Sequence, residues 1–125
     1  MQNKKKPKTA LRAKRAPKTE GGAEEFRKLA LSFAGTVELE HMNHPDFRAN
    51  GKVFATLAYP SEEWGMVKLT PEEQAEFVRM EPKVFVPCNG AWGRGGCTNV
   101  NLKVVKEETL RLAMEAAWRR VNPKI

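Results

Sequence analysis

His41, His44 and Asp46 lie close enough along the chain to form a His-x-x-His-x-Asp cluster, a grouping able to ligate a metal or supply a general base. His41 and His44 are the only histidines. A zinc centre would need a further ligand from a distant carboxylate or thiol, and no recognisable spacing supplies one. No nucleophile or oxyanion donor accompanies them to define a reaction class. The cluster therefore reads as a structural turn at the head of a hairpin. We expect no metal, no cofactor and no enzymatic activity.

A second grouping runs Gly90-Ala91-Trp92-Gly93-Arg94-Gly95-Gly96. Backbone amides beside a cation and an aromatic ring can hold a phosphate or stack a base. The segment is not a P-loop, because Gly96 and Cys97 stand where Lys and Ser or Thr should follow the second fixed glycine. The competing reading is structural: a glycine-rich hairpin tip, with Trp92 packed inward and its indole N–H on a carbonyl. That reading is favoured here.

Cations form the third grouping. Arg48 and Lys52 flank Asn50-Gly51 near one hairpin tip, and Arg94 stands near the tip of a second. Two basic-tipped β-ribbons could ride on phosphates or enter a groove as wings. The bland alternative is a scatter of solvated cations on a neutral domain, to which Lys68 and Lys83 add little. Much denser charge lies in the first nineteen residues, where Lys4, Lys5, Lys6, Lys8, Arg12, Lys14, Arg15 and Lys18 meet no acid. Removing those eight from the 22 Lys and Arg leaves 14 cations against 15 acids, so the pI near 9.7 describes this arm rather than the folded surface. Such an arm binds polyphosphate with little sequence preference and strong salt dependence, or else serves only as a solvated extension.

Cys88 and Cys97 lack Cys-x-x-Cys spacing and are expected as reduced, partly buried thiols. No stretch approaches the apolar length that spans a bilayer, and the basic N-terminus lacks a signal peptide's apolar region, so a cytoplasmic chain without membrane contact is expected. Phe26, Trp64, Phe77, Phe85 and Trp118 fall on predicted element faces and read as core. The pairs Glu62-Glu63, Glu72-Glu73 and Glu107-Glu108 lie at turns or helix starts, where capping and dipole effects account for them.

These side chains need a scaffold, and the pattern supplies one. Phe26, Leu29, Ala30 and Phe33 recur at helical spacing in a first helix ending near Gly35. Strand-like segments run from Thr36 to Leu69, with Asn50-Gly51 as a type I′ turn and Tyr59 to Glu63 as a polar turn. Thr70-Pro71-Glu72-Glu73 opens a second helix as N-cap, N1 proline and capping box. Val84 to Val86 and Thr98 to Leu102 read as strands around a loop from Pro87 to Gly96. Leu110, Ala113, Met114, Ala117, Trp118 and Val121 form the stripe of a last helix. The expectation is a disordered basic tail over residues 1–19 and one α+β domain over 20–125. That domain has an antiparallel sheet of about five to six strands with three helices packed on it.

Four stretches resemble, in order and spacing, the MmcQ/YjbR family: His44-Pro45-Asp46-Phe47-Arg48, Gly51 to Leu57, Val67 to Gln74, and Ala91 to Thr98. The ending Ala116-Ala117-Trp118-Arg119 is similar too, and the resemblance covers roughly residues 24 to 121. It implies a frataxin-like CyaY arrangement usually described as carrying a double-wing DNA-binding motif. Carried over by position, it singles out His44, Asp46, Arg48, Lys52, Lys68, Trp92, Arg94 and Thr98. Two functions follow as expectations. In the first, the arm supplies nonspecific phosphate affinity and Arg48, Lys52 and Arg94 orient a nucleic acid. In the second, the chain is a protein- or ligand-binding module with a pocket drawn from His44, Asp46, Arg48, Lys68, Trp92, Arg94 and Thr98.

Overall fold

Two pairs of consecutive positive-φ residues set the first half of the fold. In the computed structural model, which describes residues 18–124, helix α1 (Lys18–Ser32) leads into β1 (Val37–His41) and β2 (His44–Ala49). Met42 and Asn43 join these strands at φ of 50° and 67°, and Asn50 and Gly51 join β2 to β3 (Lys52–Leu57) at 55° and 75°. Both are two-residue connections of the kind whose twist matches the flanking strands. The chain continues through β4 (Trp64–Lys68), α2 (Pro71–Met80), β5 (Phe85–Pro87), α3 (Gly90–Arg94), β6 (Cys97–Asn101) and α4 (Glu107–Val121).

The six strands form one antiparallel sheet in the order β1-β2-β3-β4-β6-β5. The expected α+β architecture holds, with four helices rather than three: the glycine-rich segment expected as a loop contains α3. Helix α1 also begins at Lys18, just before the expected end of the tail. The arm cations Lys4, Lys5, Lys6, Lys8, Arg12, Lys14 and Arg15 lie outside the described residues.

Register decides which side chains share a face. Phe47, Ala55, Val67 and Thr98 form one row across the sheet, and Leu57, Gly65, Val100 and Phe85 extend the same side. Here the helices pack. Gly65 leaves room for the Phe26 ring of α1, which would lie 2.6 Å from a Cβ at that position. Phe77 of α2 meets Phe85 at 5.0 Å between centroids. Leu110, Ala113, Met114, Ala117, Trp118 and Val121 of α4 are all buried, and the Trp118 indole N–H donates to Ala34 O at 2.9 Å. The β2–β3 register shifts between Phe47 and Arg48, leaving Phe54 as an extra residue on β3; Phe54 and Ala55 are both fully buried.

Candidate nucleic-acid interface

The opposite side of the sheet carries the polar chemistry. Asp46, Thr56, Met66 and Asn99 form a row across it, with His44 and Arg48 two residues either side of Asp46. Asp46 is fully buried because its neighbours close over it. The Arg48 guanidinium donates through Nε to Oδ1 at 2.8 Å and through Nη2 to Oδ2 at 3.0 Å. His41 Nδ1 lies 2.6 Å from Oδ2. The Arg48 hydrogen bond, helped by His41, holds the Asp46 carboxyl below the usual carboxylate range despite the opposing effect of burial.

Arg48 stands close to the Asn50-Gly51 turn, as expected, but carries an ion-pair partner there. Alternation along β2 put Arg48 and Asp46 on one face, and the acid, not a turn tip, takes the guanidinium. His44 faces His41 across the strand pair and stacks edge-on with Tyr59 at 5.3 Å, while its Nδ1 is buried without a hydrogen-bond partner. Among the described residues, no group of three or more His, Cys, Asp or Glu could hold a metal ion.

Thr98 is buried on the helix side, where its hydroxyl donates to Gly96 O at 2.9 Å. It accepts from Gln74 Nε2 at 3.1 Å, and the same amide reaches Gly93 O at 3.0 Å and Cys97 O at 2.9 Å. Thr98 thus braces the approach to α3. Trp92 departs from the expected packing role, standing 75% exposed on that helix. The pocket expected from His44, Asp46, Arg48, Lys68, Trp92, Arg94 and Thr98 is not assembled as a unit, since the first three lie on β2 and the others on β4, α3 and β6. β2 is separated from β6, which carries α3, by β3 and β4, about 14 Å at ordinary strand spacing.

One end of the sheet does collect cations. β2 and β4 finish there while β3 and β6 begin, bringing Lys52, Lys68 and, through α3, Arg94 to one edge. The Leu69 N–H donates to Gly96 O at 3.2 Å, fastening the end of α3 beside the end of β4. Asn50 Nδ2 donates to Val121 O at 2.8 Å, drawing the C-terminus of α4 to the same end. That contact adds Arg120, which the sequence reading missed because only tertiary packing places it. Lys68 is the cross-strand partner of Cys97, and burial pushes the Cys97 thiol up while the charges of Lys68 and Arg120 oppose that rise.

Among the described residues, Lys52, Lys68, Arg94 and Arg120 make no ion pair, whereas Arg119 is bound to Glu115 at 2.8 Å. Helix α2 also begins here with Glu72 and Glu73, but the Glu73 carboxylate accepts from Thr70 N within the capping box. At the other end lie Glu62, Glu63, Glu81, Glu107 and Glu108, tied together by Leu102 N to Glu63 O and Thr109 Oγ1 to Glu81 Oε2. Lys83, Lys103 and Lys106 stand among these acids, Lys103 lying 3.7 Å from Glu63, so the two ends differ less in total charge than in pairing: among the described residues, Lys52, Lys68, Arg94 and Arg120 have no carboxylate bound to them.

Helices α1, α2 and α4 are each too short or too polar to cross a membrane, and no helix among the described residues meets that need. The solved structure of Deinococcus radiodurans protein DR2400, which carries a DUF419 domain, shares the fold with a TM-score of 0.69 at 16% identity. The match covers 81% of this chain and 78% of that one. No curated protein matches the sequence. The YjbR family model matches residues 31–120, a span holding the whole sheet, helices α2 and α3 and nearly all of α4, so the chain belongs to the YjbR family.

Proposed function

We propose that the chain is a non-enzymatic nucleic-acid-binding protein that contacts phosphates through Lys52, Lys68, Arg94 and Arg120, with the basic arm adding affinity. The observation behind this reading is the placement at one end of the sheet of four cations that have no ion-pair partner among the described residues. Cations held at one end of a rigid sheet attract a polyanion and fix where it lies. Arg48 is not in the contact set, because its charge is already paired with the buried Asp46 carboxylate through Nε and Nη2.

A salt-titrated binding assay tests the proposal, using the full chain, a version lacking residues 1–17, and the quadruple variant Lys52→Ala, Lys68→Ala, Arg94→Ala, Arg120→Ala. The full chain should bind with a steep fall in log K against log salt. The quadruple variant should lose roughly 0.7 to 0.9 of slope for each phosphate contact removed. Binding by the full chain that ignores salt, or a quadruple variant with unchanged affinity and slope, would refute the reading.

A further inference from the structure

We infer that Trp92 is a stacking platform for an unpaired base, so that the nucleic acid this site takes up is single-stranded. The inference rests on the proposed function and specifies its substrate. Its basis is the contrast between how tightly α3 is seated and what it presents. A Cβ at Gly93 would lie 1.7 Å from Cys88 O, and one at Gly96 would lie 1.9 Å from Leu69 O. Helix α3 at Gly93, and the turn that follows it at Gly96, therefore rest directly on neighbouring backbone, closer than any side chain would permit. The Gln74 amide ties Gly93 O, Cys97 O and Thr98 Oγ1 together beneath it.

This rigid seat leaves Trp92 75% exposed. Trp118, by comparison, is 7% exposed with its N–H satisfied by Ala34 O. Trp92 has no aromatic partner among the described residues. Arg94 follows on the same helix and is exposed, and Lys68 lies at the adjoining strand end. An open indole face beside unpaired cations is the combination that holds single strands: the cations follow the backbone while the ring stacks on a base. In a duplex the bases are stacked on one another, and the indole has nothing to receive.

Intrinsic fluorescence supplies the test. In the full chain carrying Trp64→Phe, the exposed Trp92 dominates the quenchable signal, because Trp118 is buried. Oligothymidylate of about 15 nucleotides should quench it, and an abasic strand of equal length should bind without quenching. Trp92→Ala should weaken oligothymidylate binding by about tenfold or more while leaving duplex binding nearly unchanged, and Trp92→Phe should restore most of the loss. Circular dichroism should show the fold intact, since the replaced side chain is exposed. Equal affinity of Trp92→Ala and the parent for oligothymidylate overturns the inference. Unquenched, equal binding of single strand and duplex does so too, leaving Trp92 to a protein partner and the phosphate contacts in place. If the full chain binds neither strand nor duplex, the proposed function itself fails.

Discussion

The guanidinium of Arg48 spans both oxygens of the fully buried Asp46 carboxylate, at 2.8 and 3.0 Å. Removing the cation leaves a buried anion with only the His41 contact, and an unpaired buried charge is among the more destabilising things a substitution can create. Arg48→Ala should therefore lower the urea midpoint clearly, with little change in m. Arg94→Ala, an exposed replacement, should stay within about 0.5 kcal/mol of the parent. Equal midpoints for the two variants would show that Arg48 contributes nothing to the fold.

The same carboxylate makes stability depend on acid. Its pKa is lowered in the folded state, first by the Arg48 hydrogen bond and then by His41. A group depressed on folding stabilises the protein above its unfolded value, and that contribution is lost as pH falls toward the folded value. Unfolding measured in steps from pH 6 downward should show stability dropping below about pH 4. Asp46→Asn should flatten that part of the profile. An unchanged acid limb in Asp46→Asn would assign the loss to other carboxylates.

Local chemistry made some elements readable before any contact was known. Thr70 accepts from Glu73 N at 3.1 Å while the Glu73 side chain accepts from Thr70 N at 3.0 Å, the reciprocal cap expected from Thr-Pro-Glu-Glu. Thr70→Ala should accordingly cost about 1 kcal/mol, measured by chemical denaturation. Asn50-Gly51 and the α4 stripe were legible for the same reason, since each signal is complete within a few residues or one helical period. The Met42-Asn43 turn was not, because methionine carries no preference for positive φ and the flanking strands impose it. Helix α3 was not legible because glycines disfavour helix, and tertiary contacts from Gln74, Cys88 and Leu69 hold it. Arg120 could not be assigned to the cationic edge, since the Asn50 to Val121 contact that brings it there spans 71 residues.

Gly93 exposes that tertiary dependence to experiment. Gly93→Ala puts a methyl group 1.7 Å from Cys88 O, a rigid backbone atom with nowhere to move. The variant should lose about 3 kcal/mol or more of stability, or lift α3 from its seat and free the Gln74 amide. Gly95→Ala, whose added carbon would meet nothing closer than 3.5 Å, is the control and should be mild. Comparable stability in the two variants would mean that the close approach of α3 is not required.

The two thiols report on the cationic edge from within. Cys88 N donates to Cys97 O at 3.0 Å, making them cross-strand neighbours, and both are free. Burial, with a smaller contribution from Cys97, pushes the Cys88 thiol up to about 11. Burial also raises Cys97, but Lys68 and Arg120 work against it. Because the thiolate is the nucleophile, alkylation by iodoacetamide should be slow for both at pH 7.5 and should accelerate as pH rises, Cys97 reacting before Cys88. Lys68→Met or Arg120→Met removes a cation that favours the Cys97 thiolate, and should slow Cys97 further while barely affecting Cys88. Peptide-resolved mass spectrometry distinguishes the sites. Cys97 rates that ignore both substitutions would mean that neither Lys68 nor Arg120 acts on this thiol.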